Sequence, residues 1–330
     1  RLSRSLGKKD RETASRLSAS AIVWSLILGC GISALGLWQE EPLLHLFGAS
    51  AEIIDTARAY LTPLLWATPM MCLSFVLSQL LRAEGLATYS MIGLAAGSIC
   101  NIILDPILMF GLKMGVAGAA VATVLSQAVS AIWILRFLTG KQTILKLRPA
   151  NMKLRSKIIL PCLGLGISSF VMVSTESVLS ISFTSSLARY GGDVAVGAMT
   201  VLTSINQLIT MPLSGICQGG QPLISYNYGA RKFDRVKEAF FCQFFVCVAY
   251  TTVFWLALMV VPNVFAGIFT DNGALVEYTA WAMRVFLACG FSVGFQLSCQ
   301  QAFMALGQAK VSLLMACLRK IILLIPLIFI

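Results

Sequence analysis

The run YSMIGLAAGSICNIILDPILMFG (89–111) decides the class of this protein. It stays apolar over the roughly 20 residues an α-helix needs to cross a bilayer. It holds one charge, Asp105, and one helix breaker, Pro106. A membrane β-barrel strand would alternate apolar and polar residues instead. The span is 88–111, and eight further stretches read in the same way: 17–38, 58–81, 115–138, 157–187, 193–218, 239–261, 279–303 and 311–330. Of the 330 residues, 58% are hydrophobic and 12% charged. A soluble domain carries about 25% charged residues, so most of this surface does not face water.

The net charge of +11 is a topology signal rather than a nucleic-acid signal. One set of alternate loops is 1–16, 82–87, 139–157, 219–238 and 304–310; with Arg136 at its border it holds 19 of the 25 Lys and Arg residues. The opposite loops hold Lys113 and Arg189, with Arg58 at their border, and are acidic at Glu40, Glu41, Glu52, Asp55, Asp193, Asp271 and Glu277. By the positive-inside rule the basic set is cytoplasmic. All ten cysteines fall inside spans without a CxxC pair, so they read as small apolar residues. His45, the only histidine, falls in an outer loop. The sequence has no GxxxxGKS, HExxH or GxSxG motif, so nothing points to an ATPase or hydrolase; no cofactor is expected.

The chain also repeats itself. SRSLGKKD (3–10) aligns with SYNYGARK (225–232) at an offset of 222 residues. The same offset matches Phe47 to Phe269, Gln79 to Gln301, Ala83 to Ala305, Gly85 to Gly307, Ala87 to Ala309 and Ser90 to Ser312. Apolar composition alone would give matches at many offsets. The period holds six spans, so both copies keep one orientation, a known transporter design. The fold expected is an all-α membrane protein of two pseudo-symmetric helical bundles. Residues 1–140 form the N-terminal lobe, 141–156 a cytoplasmic linker and 157–330 the C-terminal lobe. The period predicts roughly 65 residues, two spans, before Arg1 and about 30–48 residues, one span, after Ile330. That makes twelve helices, six in each bundle, of which about nine are present here.

Charge inside a membrane is costly, by about 2.5–3.5 kcal/mol on insertion scales, and marks function by default. Two acids lie deep in spans. Asp105 shares a helix face with Asn101, four residues away, and Pro106 frees the carbonyl of Ile102. These oxygens suit Na⁺, or a carboxyl that takes up a proton; the alternative is a helix-to-helix hydrogen bond beside a kink. Glu176 sits near mid-span in VSTESVLS (173–180). It suits a proton carrier or a counter-charge for a cationic substrate; the alternative is a protonated Glu bonded across helices. Asn206 and Gln207 either line a substrate path or join helices. Arg319 and Lys320 lie within the last span.

With these residues in view, the sequence resembles the multidrug and toxic-compound extrusion (MATE) family, and its bacterial efflux branch most. The likeness rests on SRSLGKKD (3–10), LRAEG (81–85), NIILDP (101–106), YGGDVAVGAM (190–199) and MPLSGICQGGQPLISYNYGARK (211–232). It implies twelve helices in two lobes and alternating access driven by H⁺ or Na⁺. It places Thr123 with Asn101 and Asp105 in a first-lobe cation site, completed by an acid on a helix expected before Arg1. It matches Glu176 to the acid of the seventh helix. Some members carry a further acid on the tenth helix, where the stretch around Phe295 is apolar here. The function expected is a cation-coupled antiporter of organic, cationic drugs. It would act as a monomer, multi-pass in the cell membrane (the inner membrane in a bacterium), with lipid and small organic substrates as its only partners. A flippase for a lipid-linked precursor would need a more basic cavity. A membrane-embedded enzyme or scaffold would need a nucleophile–base pair or metal ligands within the spans.

Overall fold

The structure is a computed structural model that describes residues 1–46, 53–138, 140, 156–270, 273–324 and 326. The linker expected over 141–156 falls outside them except for Ser156, as do Phe47, Glu52 and Asp271. Every regular element among the described residues is helical. They are α1 (Leu2–Gly7), α2 (Arg11–Trp38), α3 (Glu40–Leu46), α4 (Ile54–Ala83), α5 (Ala87–Pro106), α6 (Gly115–Leu138), α7 (Ser156–Gly229), α8 (Phe233–Val260), α9 (Pro262–Gly267), α10 (Gly273–Phe286), α11 (Ser292–Ala305) and α12 (Ala309–Cys317). π-Helical segments extend α5 over Ile107–Gly111 and α12 over Leu318–Leu324. α7 is two helices that meet at Gly192, whose φ of 65° and ψ of −165° no helical residue adopts. Among the described residues, seven stretches are long and apolar enough to cross a membrane. Large apolar side chains point outward along them, Trp66, Phe110 and Ile132 among them. In water such a surface would be a liability; in lipid it is the solvent-facing side.

The 222-residue period is written into the backbone. α2 and α8, α3 and α9, and α5 and α12 each start one period apart, and α4 and α11 end one period apart. Lys9 and Arg231 take the same positive φ, 60° and 59°, and Gly85 and Gly307 do likewise at 88° and 77°. The turns close with matching bonds: Asp10 N–H to Ser5 O (3.1 Å) corresponds to Lys232 N–H to Asn227 O (3.0 Å). In the first copy Asp10 also caps α2, its carboxylate accepting from the Thr13 amide. A bond from the Thr13 side chain, and after it the one from the Thr13 amide, holds the Asp10 carboxyl below its usual range.

The chain forms two compact units, Leu2–Ile159 and Leu160–Ile330 with Arg1. In the first, α4 packs on α2 and α6, and α6 on α5; Ile22, Leu77, Leu81 and Ile134 make its core. In the second, Leu202, Ile205, Leu258, Met283 and Leu287 do so. Small residues bring the helices close. A Cβ on Gly97 would lie 2.0 Å from Ser130 Oγ and 2.9 Å from the Ser126 carbonyl oxygen. Ser130 in turn donates to the Gly93 carbonyl, 2.9 Å away.

The single span expected over 279–303 is broken. α10 stops at Phe286 and α11 begins at Ser292. α8 lies against the break: the Trp255 indole donates to Leu287 O (2.8 Å), which also accepts from the Gly290 amide, and the Thr251 hydroxyl, bonded to Cys247 O on its own helix (2.9 Å), is 3.3 Å from Phe291 O. A side chain at Gly290 would press on Trp255 Cδ1 at 2.9 Å, so glycine permits the approach. One period earlier, Pro69 lies inside α4 at the position of Phe291, and Pro69 Cα is 2.5 Å from where a Cβ on Gly29 would be. Gly29 is the counterpart of Thr251. Each copy therefore interrupts its helix ladder at the same level by different means. The last expected span, 311–330, is described only as far as α12, its π-helical extension and residue 326.

Gly97→Ala is expected to lower the melting temperature in detergent, an overpacking cost of about 1–3 kcal/mol. Adding Ser130→Ala should recover only part of the loss, because the Ser126 carbonyl stays in place. An unchanged melting temperature in Gly97→Ala would show that α5 and α6 can part without cost.

Candidate functional site

The polar face of α5 is built by helical spacing. Asn101 and Asp105 are one turn apart, and Asn101 Nδ2 donates to Asp105 Oδ1 at 3.2 Å. Both side chains are half-buried, while Ile102 and Ile103 on the opposite side are exposed. A carboxylate only accepts, so the Asn101 amide turns its N–H₂ to Asp105 and keeps its oxygen for another ligand. Pro106 brings no N–H to the Ile102 carbonyl, and the next amide, Ile107, donates to Leu104 O. The chain then widens into its π-helical turn, with Leu112 N–H on Ile107 O at 2.9 Å. Such turns gather at functional sites.

Thr123 comes from the next helix. α5 and α6 run antiparallel, with Gly93 against Trp133 and Ile134, Gly97 against Ser126 and Ser130, and Leu108 against Gly118. That register sets Thr123 level with the turn between Asn101 and Asp105, on the α6 face that Ser130 also occupies. Its hydroxyl donates to Ala119 O (3.0 Å), which leaves oxygen lone pairs for a cation. One carboxylate with neutral oxygens is a hard donor set, suited to Na⁺ or to a proton. Among the described residues no three His, Cys, Asp or Glu side chains gather as for a transition metal.

Glu176 stands on the first part of α7, within the apolar stretch Cys162–Thr184. It is exposed, as are the apolar Phe170, Val173, Val178 and Ile181 around it. Beside it Thr175 is buried and donates to Val171 O at 2.6 Å. A carboxyl at that depth carries a proton, faces water or meets a polar partner. Asn206 is half-buried and Gln207 exposed on the second part of α7, and both backbone carbonyls accept from the Thr210 hydroxyl. Asn101 and Asp105 are thus directly bonded, Thr123 is level with them, and Glu176, Asn206 and Gln207 belong to the other unit.

The stretch around Phe295 is less apolar in function than in composition. Phe295 itself packs edge-on against Phe244, with ring centroids 5.3 Å apart. The next residue, Gln296, accepts from Arg319 and bonds to Gln300. Gln296 and Gln300, one turn apart with Gln301 beside them, were the available sign.

Comparison with known proteins decides what this arrangement belongs to. The family model MatE matches residues 1–107 and 168–330. The chain belongs to the MatE family. Multidrug export protein MepA of Staphylococcus saprophyticus is 28% identical to this MatE chain over 329 residues, which cover all of the chain and 72% of MepA. MepA of Staphylococcus aureus is 29% identical over 333 residues, with the same coverage. Among solved structures, an outward-facing multidrug resistance MATE family transporter of the MOP superfamily superposes with a TM-score of 0.93 at 24% identity, over 99% of this chain and 73% of that one. A MATE in complex with MaL6 gives 0.91 at 25% identity, over 98% and 73%. This MatE chain is therefore a multi-pass membrane protein with the MATE fold.

Pro106→Ala would restore the missing N–H to Ile102. It is expected to raise the melting temperature in detergent, because an interior proline costs a helix roughly 3 kcal/mol. An unchanged or lower value would mean that the Ile102 carbonyl already has another donor.

Proposed function

We propose that this protein is a cation-coupled antiporter that exports organic, cationic drugs by alternating access, with H⁺ or Na⁺ as the driving ion. The observation that carries the reading is the Asn101–Asp105 pair, half-buried within a membrane span beside a proline and a π-helical turn. Glu176, at membrane depth in the other unit, supports it. So does the likeness to multidrug export proteins along the whole chain.

The mechanism follows from charge. Ionised Asp105 holds the Asn101 amide and attracts a cation. A proton or Na⁺ removes the net charge and with it the cost of leaving water. α5 has no complete hydrogen-bond ladder at Pro106, so a change in this bonding can bend it there. Thr123 contributes an oxygen to the ion from α6, so that ion binding and the α5–α6 contact are linked. Glu176 serves as the second coupling acid or as the counter-charge of a cationic drug. Asn206 and Gln207 line the drug path. The protein acts as a monomer.

Asp105→Asn and Glu176→Gln, each made in the full chain, should reduce drug efflux from cells to background while membrane expression and melting temperature hold. In vesicles, drug-dependent proton release or Na⁺ uptake identifies the ion. Normal drug export by both variants would overturn the reading.

A further inference from the structure

The second unit contains a line of hydrogen bonds that coupling by Glu176 alone does not require. Arg319, in the π-helical segment after α12, donates through Nη1 to Gln296 Oε1 on α11. Gln296 Nε2 donates to Gln300 Oε1 one turn along, at 3.4 Å. Gln300 Nε2 then reaches the thioether of Met172 on α7, at 3.5 Å.

The direction of this line is fixed by chemistry. A guanidinium has donors and no acceptor, so Gln296 must turn its oxygen to Arg319 and its N–H₂ the other way. Gln300 must do the same in its turn. A row of amides headed by a cation polarises along its length, and the strengthened donor is the last one. That last N–H ends on a thioether, a weak acceptor. Glu176 is on the same face of α7 as Met172, one turn further on. An ionised carboxylate there is a far better acceptor for the same N–H.

The repeat shows that packing does not require these side chains. One period earlier, Gln296, Gln300 and Arg319 correspond to Ser74, Ser78 and Gly97. Those residues are small, and they pack the first unit's helices tightly. An arginine within a span is costly, so its presence in place of a glycine calls for a role.

We propose that Arg319, Gln296 and Gln300 form a positioning relay whose terminal N–H moves from Met172 to Glu176 when that acid loses its proton. The relay delivers part of the Arg319 charge to Glu176 across α11. It thereby sets how readily Glu176 takes up and releases a proton. Among the described side chains, the charged groups on the three elements involved are Glu176 and Arg189 on the first part of α7 and Lys310 and Arg319 at the end of the chain; α11 has none. Arg189 is more than three turns from Glu176 and Lys310 more than two turns from Arg319. The relay deepens the coupling reading of Glu176 and rests on it for its role in transport, but its test does not.

The test is an infrared titration of the full chain in lipid vesicles. The protonated-carboxyl band of Glu176 is assigned by its loss in Glu176→Gln, and its intensity is followed over a pH series. In Arg319→Gln and Gln300→Leu the pH of half intensity should rise by roughly one unit, a tenfold gain in proton affinity. Arg319→Lys should give a smaller rise, since an ammonium keeps the charge but not the planar fork. Met172→Leu, which removes the competing acceptor, should lower it. An unmoved midpoint in both Arg319→Gln and Gln300→Leu overturns the relay. Should those two fail to fold, Met172→Leu decides: a fall supports the relay, and no change or a rise overturns it. Drug efflux is measured separately. A Glu176→Gln variant that still exports drug refutes the coupling reading, while the midpoint shifts still decide the relay.

Discussion

In hydrocarbon, a backbone polar group or a charge without a partner costs several kcal/mol, because no water is there to take its place. This constraint makes the described spans helical and puts apolar side chains on their outer faces. It also makes each exception informative. α10 and α11 part where the Trp255 indole of α8 donates to Leu287 O and the Gly290 amide folds back onto the same carbonyl. α5 is interrupted only at Pro106, next to a carboxylate and an amide. The second π-helical segment contains Arg319. Irregular backbone and ionisable side chains thus keep company at membrane depth. Both are tolerated where polar partners or water are near, which is where a transported ion or solute must also pass.

Much of this could be read from the sequence, for reasons that differ by residue. The apolar runs have the helix length that a bilayer imposes. The offset of 222 residues appeared because turns constrain side chains tightly: Gly85 and Gly307 recur since both need a positive φ. Asn101 and Asp105 were legible as a pair because helical spacing alone puts them on one face. The break in 279–303 was not legible. The indole that meets it, Trp255, lies 32 residues before Leu287, and a window of apolar residues reports nothing about a donor on another helix. The relay was hidden for the same reason. Gln296, Gln300 and Arg319 acquire meaning only when α11 and the π-helical end of the chain are side by side.

The two copies show how one backbone serves two chemistries. Three pairs of helix starts and the turns at Lys9/Arg231 and Gly85/Gly307 agree to the residue, and the contact of Gly29 with Pro69 recurs as that of Thr251 with Phe291. At the level of Ser74, Ser78 and Gly97 the first copy uses small side chains to seat α5 against α6. Its ionisable group lies further along, at Asp105, beyond the close contact. The second copy fills the same three positions with two amides and a guanidinium. A duplicated bundle whose halves needed only to pack would retain small residues in both. Instead each half has one polar region at membrane depth, carboxylate with amide in the first and amides with a cation in the second. The two regions differ in electrostatics: a carboxylate attracts a cation, and a guanidinium stabilises the ionised form of a carboxylate.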